Sequence, residues 1–160
     1  KIFKNKSLTM KYLFAVISFF ILSACVQDSP NIKQIENLQF FIDNKKDVSI
    51  IEIEKGLQYS IMESGDPSGL SPSLDQIITA HFHGTLTNGE VFWTSLETEP
   101  LKIELSKLIE GCQKVISLMK EGDKWQVFID PTMAYGEEGR PGIPSNSILI
   151  FEIELLAIDA

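Results

Sequence analysis

Two histidines one residue apart, His81 and His83, form the most conspicuous chemical pair in the chain. On a strand this spacing turns both imidazoles to one face, where they could supply two ligands to a metal. No third ligand is placed by spacing, because Cys112 falls within an apolar stripe and the nearby carboxylates are merely abundant. The expectation is therefore two packing or solvent-facing histidines and no metal. Nucleophilic chemistry fares no better: there is no G-x-S-x-G elbow, no Ser, His and Asp arrangement that spacing singles out, and no phosphate-binding loop. What remains is Phe92-Trp93 just after an Asn88-Gly89 turn, and Tyr135 in a glycine-rich loop. A loop tyrosine is seldom there to be buried for its own sake. A chain with no nucleophile, metal or cofactor box is a binding module or an enzyme that needs none of them, and no cofactor is expected.

The elements that must position these residues follow from periodicity. Ile35, Leu38, Phe41 and Ile42 recur at helical spacing, which predicts a short amphipathic helix near 31–44. From Ser49 the period becomes two, with strands around Ile51 and Ile53, around Leu57, Tyr59 and Ile61, and over 76–86. In the last of these, Ile78, Ala80 and Phe82 share one face and Thr79, His81 and His83 the other. Asn88-Gly89 then closes a hairpin. Further strands contain Leu101, Ile103 and Leu105, then Trp125, Val127 and Ile129, and finally 147–158 with Leu149, Phe151, Ile153 and Leu155 on one face. Leu108, Ile109, Cys112, Val115, Ile116 and Met119 form the stripe of one helix, closed by Gly122. One amphipathic helix among five or six strands can bury its stripe only against one face of an antiparallel sheet. The predicted class is α+β, with a curved antiparallel sheet of five to six strands wrapped around one helix.

The N-terminus reads differently. Lys1, Lys4, Lys6 and Lys11 precede an uncharged run, Tyr12 to Val26, that contains Leu22-Ser23-Ala24-Cys25. A basic region, a short apolar region and small residues before a cysteine describe a cleaved export signal, and the run is short for a membrane span of about 20 apolar residues. The ending resembles the lipobox of bacterial lipoproteins, which implies lipidation at Cys25. The expected organisation is a signal over 1–24, with 1–9 ahead of a natural start at Met10, then a lipidated stalk and short helix over 25–48, and a domain over 49–160. Loss of those four lysines and of no acid, from 14 basic and 22 acidic residues, takes the formal net charge from −8 to −12. Such a charge excludes nucleic acid and anionic lipid surfaces as natural partners. Cys112 would then be the one free thiol, with no disulfide to hold the domain.

The C-terminal third carries a resemblance. Asp130-Pro131-Thr132-Met133-Ala134-Tyr135-Gly136, Gly139-Arg140-Pro141-Gly142-Ile143-Pro144 and Leu149 to Leu156 (LIFEIELL) are similar to the signature of the tacrolimus-binding, or FKBP-type, peptidyl-prolyl isomerases. Gly56-Leu57-Gln58-Tyr59, the strand ending His81 to Leu86, Asn88-Gly89 before Phe92, and Leu108-Ile109-Glu110-Gly111 follow in the family's order. Leu118-Met119 and Trp125 to Ile129 resemble most its bacterial surface branch, the macrophage infectivity potentiator-like proteins. The likeness spans roughly residues 50–159.

That resemblance implies rotation about Xaa-Pro bonds, with Tyr135, Phe92, Phe82 and Ile109 as catalytic residues. Trp93, Leu101, Leu108, Cys112, Ile143 and Phe151 would bind substrate. The Tyr135 hydroxyl and the Ile109 N–H would bond the substrate carbonyl, and Phe92 and Phe151 would grip the prolyl ring. The lipobox resemblance implies a lipid anchor in a bacterial envelope, leaning to the outer membrane because Val26 rather than aspartate follows the cysteine. The helix near 31–44 is too short for a long dimerisation arm, so a monomer is expected, with proline-containing segments of exported proteins as partners. Four positions depart from the family's usual residues: Phe82 stands for Tyr, Trp93 for Asp, Leu101 for an aromatic and Cys112 for Trp. These departures keep a second class of function open, a non-catalytic peptide-binding or chaperone module with a remodelled pocket.

Overall fold

Alternation of apolar and polar side chains is strictest in the strand Ile77–Leu86, where residues 78, 80, 82, 84 and 86 are buried and the others are not. This strand is the centre of the computed structural model, which describes residues 32–159. Cys25, the predicted signal and the predicted stalk before Ile32 lie outside the described residues. The elements in chain order are α1 (Ile32–Asn44), β1 (Ile51–Glu54), β2 (Leu57–Glu63), β3 (Ile77–Leu86), β4 (Val91–Thr94), β5 (Leu101–Glu104), α2 (Glu110–Ile116), β6 (Lys124–Ile129) and β7 (Leu149–Asp159). Short 3-10 turns at Leu105–Lys107 and Pro131–Met133 complete them.

All strands pair antiparallel in one sheet of order β1-β2-β6-β7-β3-β4, with β5 also on β3. The sheet therefore has seven strands rather than the five or six expected. The extra strand arises because β4 and β5 share one edge of β3: β5 pairs Ile77 to Ala80, and β4 pairs His83 to Thr85. Ser95 stitches the gap between them, its N–H donating to the Phe82 carbonyl at 2.9 Å and its Oγ accepting from the Phe82 N–H at 3.0 Å.

One face of the sheet packs on α2 through Phe82, Val115, Ile116, Val127, Phe151 and Ile153, all buried. The apolar stripe predicted as a single helix from Leu108 to Met119 contains only seven helical residues. Ile109 is extended (φ −62°, ψ 151°), so Leu108 and Ile109 approach the helix rather than belong to it. Beyond Ile116 the chain tightens into i→i+3 bonds, Leu118 N–H to Val115 at 2.9 Å and Met119 N–H to Ile116 at 3.0 Å. Met119 is thereby tucked into the core while Leu118 is left exposed. The helix lies close on the sheet because position 111 is glycine: a Cβ there would come within 2.4 Å of Ile129 Cγ2.

The opposite face of the sheet holds α1, by a smaller cluster of Phe41, Phe128 and Ile148 flanked by Phe40, Ile50 and Ile150. The stripe that predicted this helix is only partly used, since Ile35, Leu38 and Ile42 are exposed and Asn37 and Phe41 are the buried positions. Polar contacts take over the anchoring. Gln58, fully buried, donates to the Phe41 carbonyl at 3.0 Å and accepts from Asn44 Nδ2 at 3.0 Å, satisfying the last turn of α1. Asn37 Nδ2 donates to the Asn146 carbonyl at 3.0 Å. Replacing Gln58 by Leu leaves the Phe41 carbonyl with only the Lys45 N–H at 3.3 Å and takes from Asn44 Nδ2 its acceptor, which costs about 1–3 kcal/mol. Urea unfolding of Gln58→Leu is expected to show that loss together with faster proteolysis within 32–48; unchanged stability and cleavage would refute the anchoring role.

Candidate functional site

A cavity of about 270 Å³ opens between the sheet, the N-terminal end of α2 and the loop from Pro131 to Ile148, and all ten predicted site residues line it. Phe82 comes from β3, Phe92 and Trp93 from β4, Leu101 from β5 and Phe151 from β7. Leu108 and Ile109 approach from the segment before α2, Cys112 from α2 itself, and Tyr135 and Ile143 from the loop. Arg140 and Pro141 complete the lining.

The aromatic wall depends on two departures from a regular strand. First, the β3–β4 register jumps from Gly84–Trp93 to Thr85–Val91, leaving Phe92 as an extra residue. A bulge of this kind lets successive side chains turn to one face, so Phe92 and Trp93 both reach the cavity where alternation would send one of them away. Second, Gly84 has no side chain to fill the space above β3. A Cβ there would lie 2.5 Å from Phe92 Cζ and 2.8 Å from Phe151 Cε1. The rings occupy that space: Phe92 and Phe151 meet edge to face at 5.4 Å and 90°, and Phe82 meets Phe151 at 6.3 Å and 81°. Such geometry is favourable beyond simple burial, since a ring edge is positive and a ring face negative. Trp93 leans on Phe82 at 5.8 Å and is 41% exposed, which makes it the rim.

At the floor, Cys112 is buried, and burial pushes its thiol up to about 12. It stays a neutral thiol at physiological pH, so it is a small apolar surface rather than a nucleophile. The approach to α2 is held by Gln113, whose Nε2 donates to the carbonyls of Ser106 (3.1 Å) and Leu108 (2.6 Å). That side chain sets where Leu108 and Ile109 enter the wall.

Tyr135 is carried by a loop whose backbone is tied across itself. Asp130 caps its start by accepting from the Thr132 N–H at 3.0 Å. Gly136 N–H bonds Pro131 O at 2.8 Å, Gly139 N–H bonds Tyr135 O at 3.0 Å, and Asn146 N–H bonds Gly136 O at 2.8 Å. Arg140 Nη1 donates to the Tyr135 hydroxyl oxygen at 2.8 Å, with its guanidinium carbon 4.9 Å from the centre of the same ring. Arg140 is the only formally charged residue of the lining.

His81 and His83 lie on the other face of β3, as expected. Their Nδ1 atoms pair with Ser95 Oγ and Thr94 Oγ1, each at 3.1 Å. Among the described residues no three His, Cys, Asp or Glu side chains converge to hold a metal. Gly84, Ser95, Gln113 and Arg140 are the supporting residues that sequence reasoning missed. Arg140 alone left a signal, as a cation five residues from the loop tyrosine in a chain with 22 acidic residues.

The profile of the family described as FKBP-type peptidyl-prolyl cis-trans isomerase matches residues 69–156. The FKBP-type isomerase FkpA of Aeromonas hydrophila is 36% identical over 122 residues, which cover 76% of this chain and 45% of that protein. The peptidyl-prolyl isomerase Mip of Coxiella burnetii is 36% identical over 121 residues, covering 74% of this chain and 52% of its own. The outer membrane protein MIP of Legionella longbeachae is 34% identical, with 74% and 51% covered. This chain thus spans about half the length of the curated relatives it matches. Among solved structures, a peptidyl-prolyl isomerase of Pseudomonas syringae superposes with a TM-score of 0.74 at 26% identity, over 81% of this chain and 95% of that one. FkpA of Escherichia coli gives a TM-score of 0.74 at 27% identity, over 98% and 74%. The seven-stranded sheet packed on a short helix is shared with these structures, and the aromatic cavity lies within the matched residues; the chain belongs to the FKBP-type peptidyl-prolyl cis-trans isomerase family.

Proposed function

We propose that the protein accelerates cis-trans isomerisation of Xaa-Pro bonds, and the observation that carries this is the chemistry of the cavity wall. Three phenylalanine rings, four aliphatic side chains and a neutral thiol make a water-poor slot of a size to take a prolyl ring. The reaction has a barrier of about 18–20 kcal/mol because the planar amide is conjugated. Uncatalysed, it takes tens to hundreds of seconds. At the twisted transition state conjugation is lost and the carbonyl is less charge-separated, so an apolar site favours it over the planar ground state. Each tenfold in rate needs about 1.4 kcal/mol of that preference. No proton is transferred and no covalent bond forms, in keeping with a lining that holds no carboxylate or imidazole.

In this mechanism Phe92 and Phe151 clasp the ring from two perpendicular directions, and Phe82, Leu101 and Cys112 close the sides and floor. The Tyr135 hydroxyl and the Ile109 N–H bind carbonyls of the substrate and fix which bond lies in the dry region. Support for the whole comes from family membership and from relatives named as isomerases. The substrates proposed are proline-containing segments of exported proteins, and the protein is proposed to act as a monomer tethered by a lipid on Cys25 in the bacterial envelope, with the outer membrane preferred. That location is supported by the Leu22 to Cys25 motif and by a relative named as an outer membrane protein.

One observation favours the second reading, a peptide-binding module without turnover. Trp93 presents an exposed indole at the rim where the family's usual residue is a carboxylate. An aromatic rim adds contact area for a bound chain and removes a polar partner near the bound carbonyl.

Exchange NMR or a protease-coupled assay on Xaa-Pro peptides is expected to show acceleration over buffer, and Gly84→Ala, which drives a Cβ into Phe92 and Phe151, is expected to cut kcat/KM at least tenfold. A Gly84→Ala protein as active as the parent would sink the aromatic-slot mechanism, and an inactive parent would favour the binding module. Trp93→Asp is expected to weaken peptide affinity and to raise kcat; a fall in both would remove the case for the rim as the cause of lowered turnover. For Cys25, the mass of the protein isolated from bacterial membranes is expected to carry a lipid on a chain that begins at this cysteine. An unmodified thiol there would refute the anchor.

A further inference from the structure

Arg140 has a position more constrained than its exposure suggests. It opens a tight turn, Arg140-Pro141-Gly142-Ile143, in which its N–H bonds the Ile143 carbonyl at 2.9 Å and its carbonyl accepts from the Ile143 N–H at 2.8 Å. Gly142 has φ +83° and Pro141 has a ring-fixed φ, the residue pair that such a turn requires. Immediately before it, Gly139 has φ +62°, and a Cβ there would fall 2.5 Å from the Ile143 oxygen. The backbone of Arg140 is thus held on both sides. Its side chain then makes two contacts to one residue, the hydrogen bond to the Tyr135 oxygen and the approach over the Tyr135 ring. Among the described residues it forms no ion pair with a carboxylate.

These contacts decide what the Tyr135 hydroxyl can do. A phenol has one proton to donate and lone pairs to accept with, whereas a guanidinium has donors only. With Arg140 donating, the Tyr135 oxygen must accept, and its proton cannot point back at Arg140. It is left for an acceptor in the cavity. A donor bonded to the oxygen also polarises the O–H bond, as linked hydrogen bonds strengthen one another, and a cation within about 6 Å of a ring is drawn to its face. Two of the ring's freedoms, its tilt and the rotation of its hydroxyl, are restricted by one side chain.

We infer that Arg140 is a positioning residue that sets the Tyr135 hydroxyl as a hydrogen-bond donor aimed at the carbonyl of a bound Xaa-Pro segment. The inference rests on the proposed use of Tyr135 in the isomerase site. It makes a demand that a merely structural arginine would not meet: all of its effect must pass through the Tyr135 oxygen.

The test is a double-mutant cycle of Arg140→Met, Tyr135→Phe and the double variant, with kcat/KM measured on one Xaa-Pro tetrapeptide and thermal unfolding as the control for folding. Arg140→Met is expected to lose three- to tenfold, mainly in kcat, with its Tm little changed. In the Tyr135→Phe background the same change is expected to do nothing beyond twofold. Arg140→Lys, which keeps a donor but not the planar fork, is expected to recover part of the loss. Losses that multiply independently, or an Arg140→Met protein within twofold of the parent, would overturn the inference and leave the isomerase proposal standing. If the parent binds the peptide without turnover, the isomerase proposal fails instead, and the same cycle is read on peptide affinity from the fluorescence of the rim tryptophan. Coupled losses in affinity then uphold the role of Arg140, and independent or absent losses overturn it. A parent that neither binds nor turns over the peptide overturns both.

Discussion

The structure turns on a space that one residue declines to fill. Gly84 lies within β3, where strands on both sides are paired with it and where every second position of the strand is turned into the core. A methyl group at that point would meet Phe92 and Phe151 within 2.8 Å. Because it is missing, the two rings lie directly over the backbone and meet at right angles, and the slot they form is walled by ring faces and edges. A glycine inside a strand ordinarily weakens it. Here the loss is offset by the aromatic contacts that depend on it.

Around that space the remaining elements act as supports for rings and loop rather than as further sources of chemistry. The bulge at Phe92 turns two successive aromatics inward, Ser95 fixes the β3 backbone at Phe82, and Gln113 holds the segment that brings in Leu108 and Ile109. The loop bearing Tyr135 is tied by its own carbonyls and, through Asn146, to Asn37 on α1. The helix on one face of the sheet is therefore linked by two hydrogen bonds to the residue beside the tyrosine on the other. A site that transfers no proton depends on where its surfaces are, and most of the supporting residues serve that placement.

What was legible in the sequence follows from which interactions are local. The two-residue period of β3 placed Phe82 inside and both histidines outside, because strand pleating leaves no other choice. The loop motifs brought Tyr135, Ile143 and Phe151 to one cavity because their spacing is that of a family whose loop is closed by short-range bonds. Three features were illegible for physical reasons. A bulge inserts one residue without altering composition, so alternation alone could not turn Phe92 and Trp93 the same way. The stripe from Leu108 to Met119 marks a buried face, and the extended segment at Ile109 and the 3-10 turns after Ile116 bury the same face as a longer helix would. On α1, apolar spacing suggested that Ile35, Leu38 and Ile42 pack inward, but the buried glutamine of β2 and the loop carbonyl of Asn146 hold Asn37 and Phe41 against the sheet instead.

The division of one edge of β3 between β4 and β5 bears on self-association. A sheet of seven strands ends on one side in β1 and on the other in β4 and β5, each only four residues long. Edge strands offer unpaired backbone groups to any extended chain, and proteins blunt them with short length, charge and irregularity. Glu52, Glu54, Lys102 and Glu104 supply charge along two of these edges, and the Phe92 bulge interrupts the third. For a protein proposed to work among incompletely folded chains, the outcome is a sheet that can take extended peptide into its cavity while presenting little edge on which that peptide could add as another strand and seed aggregation.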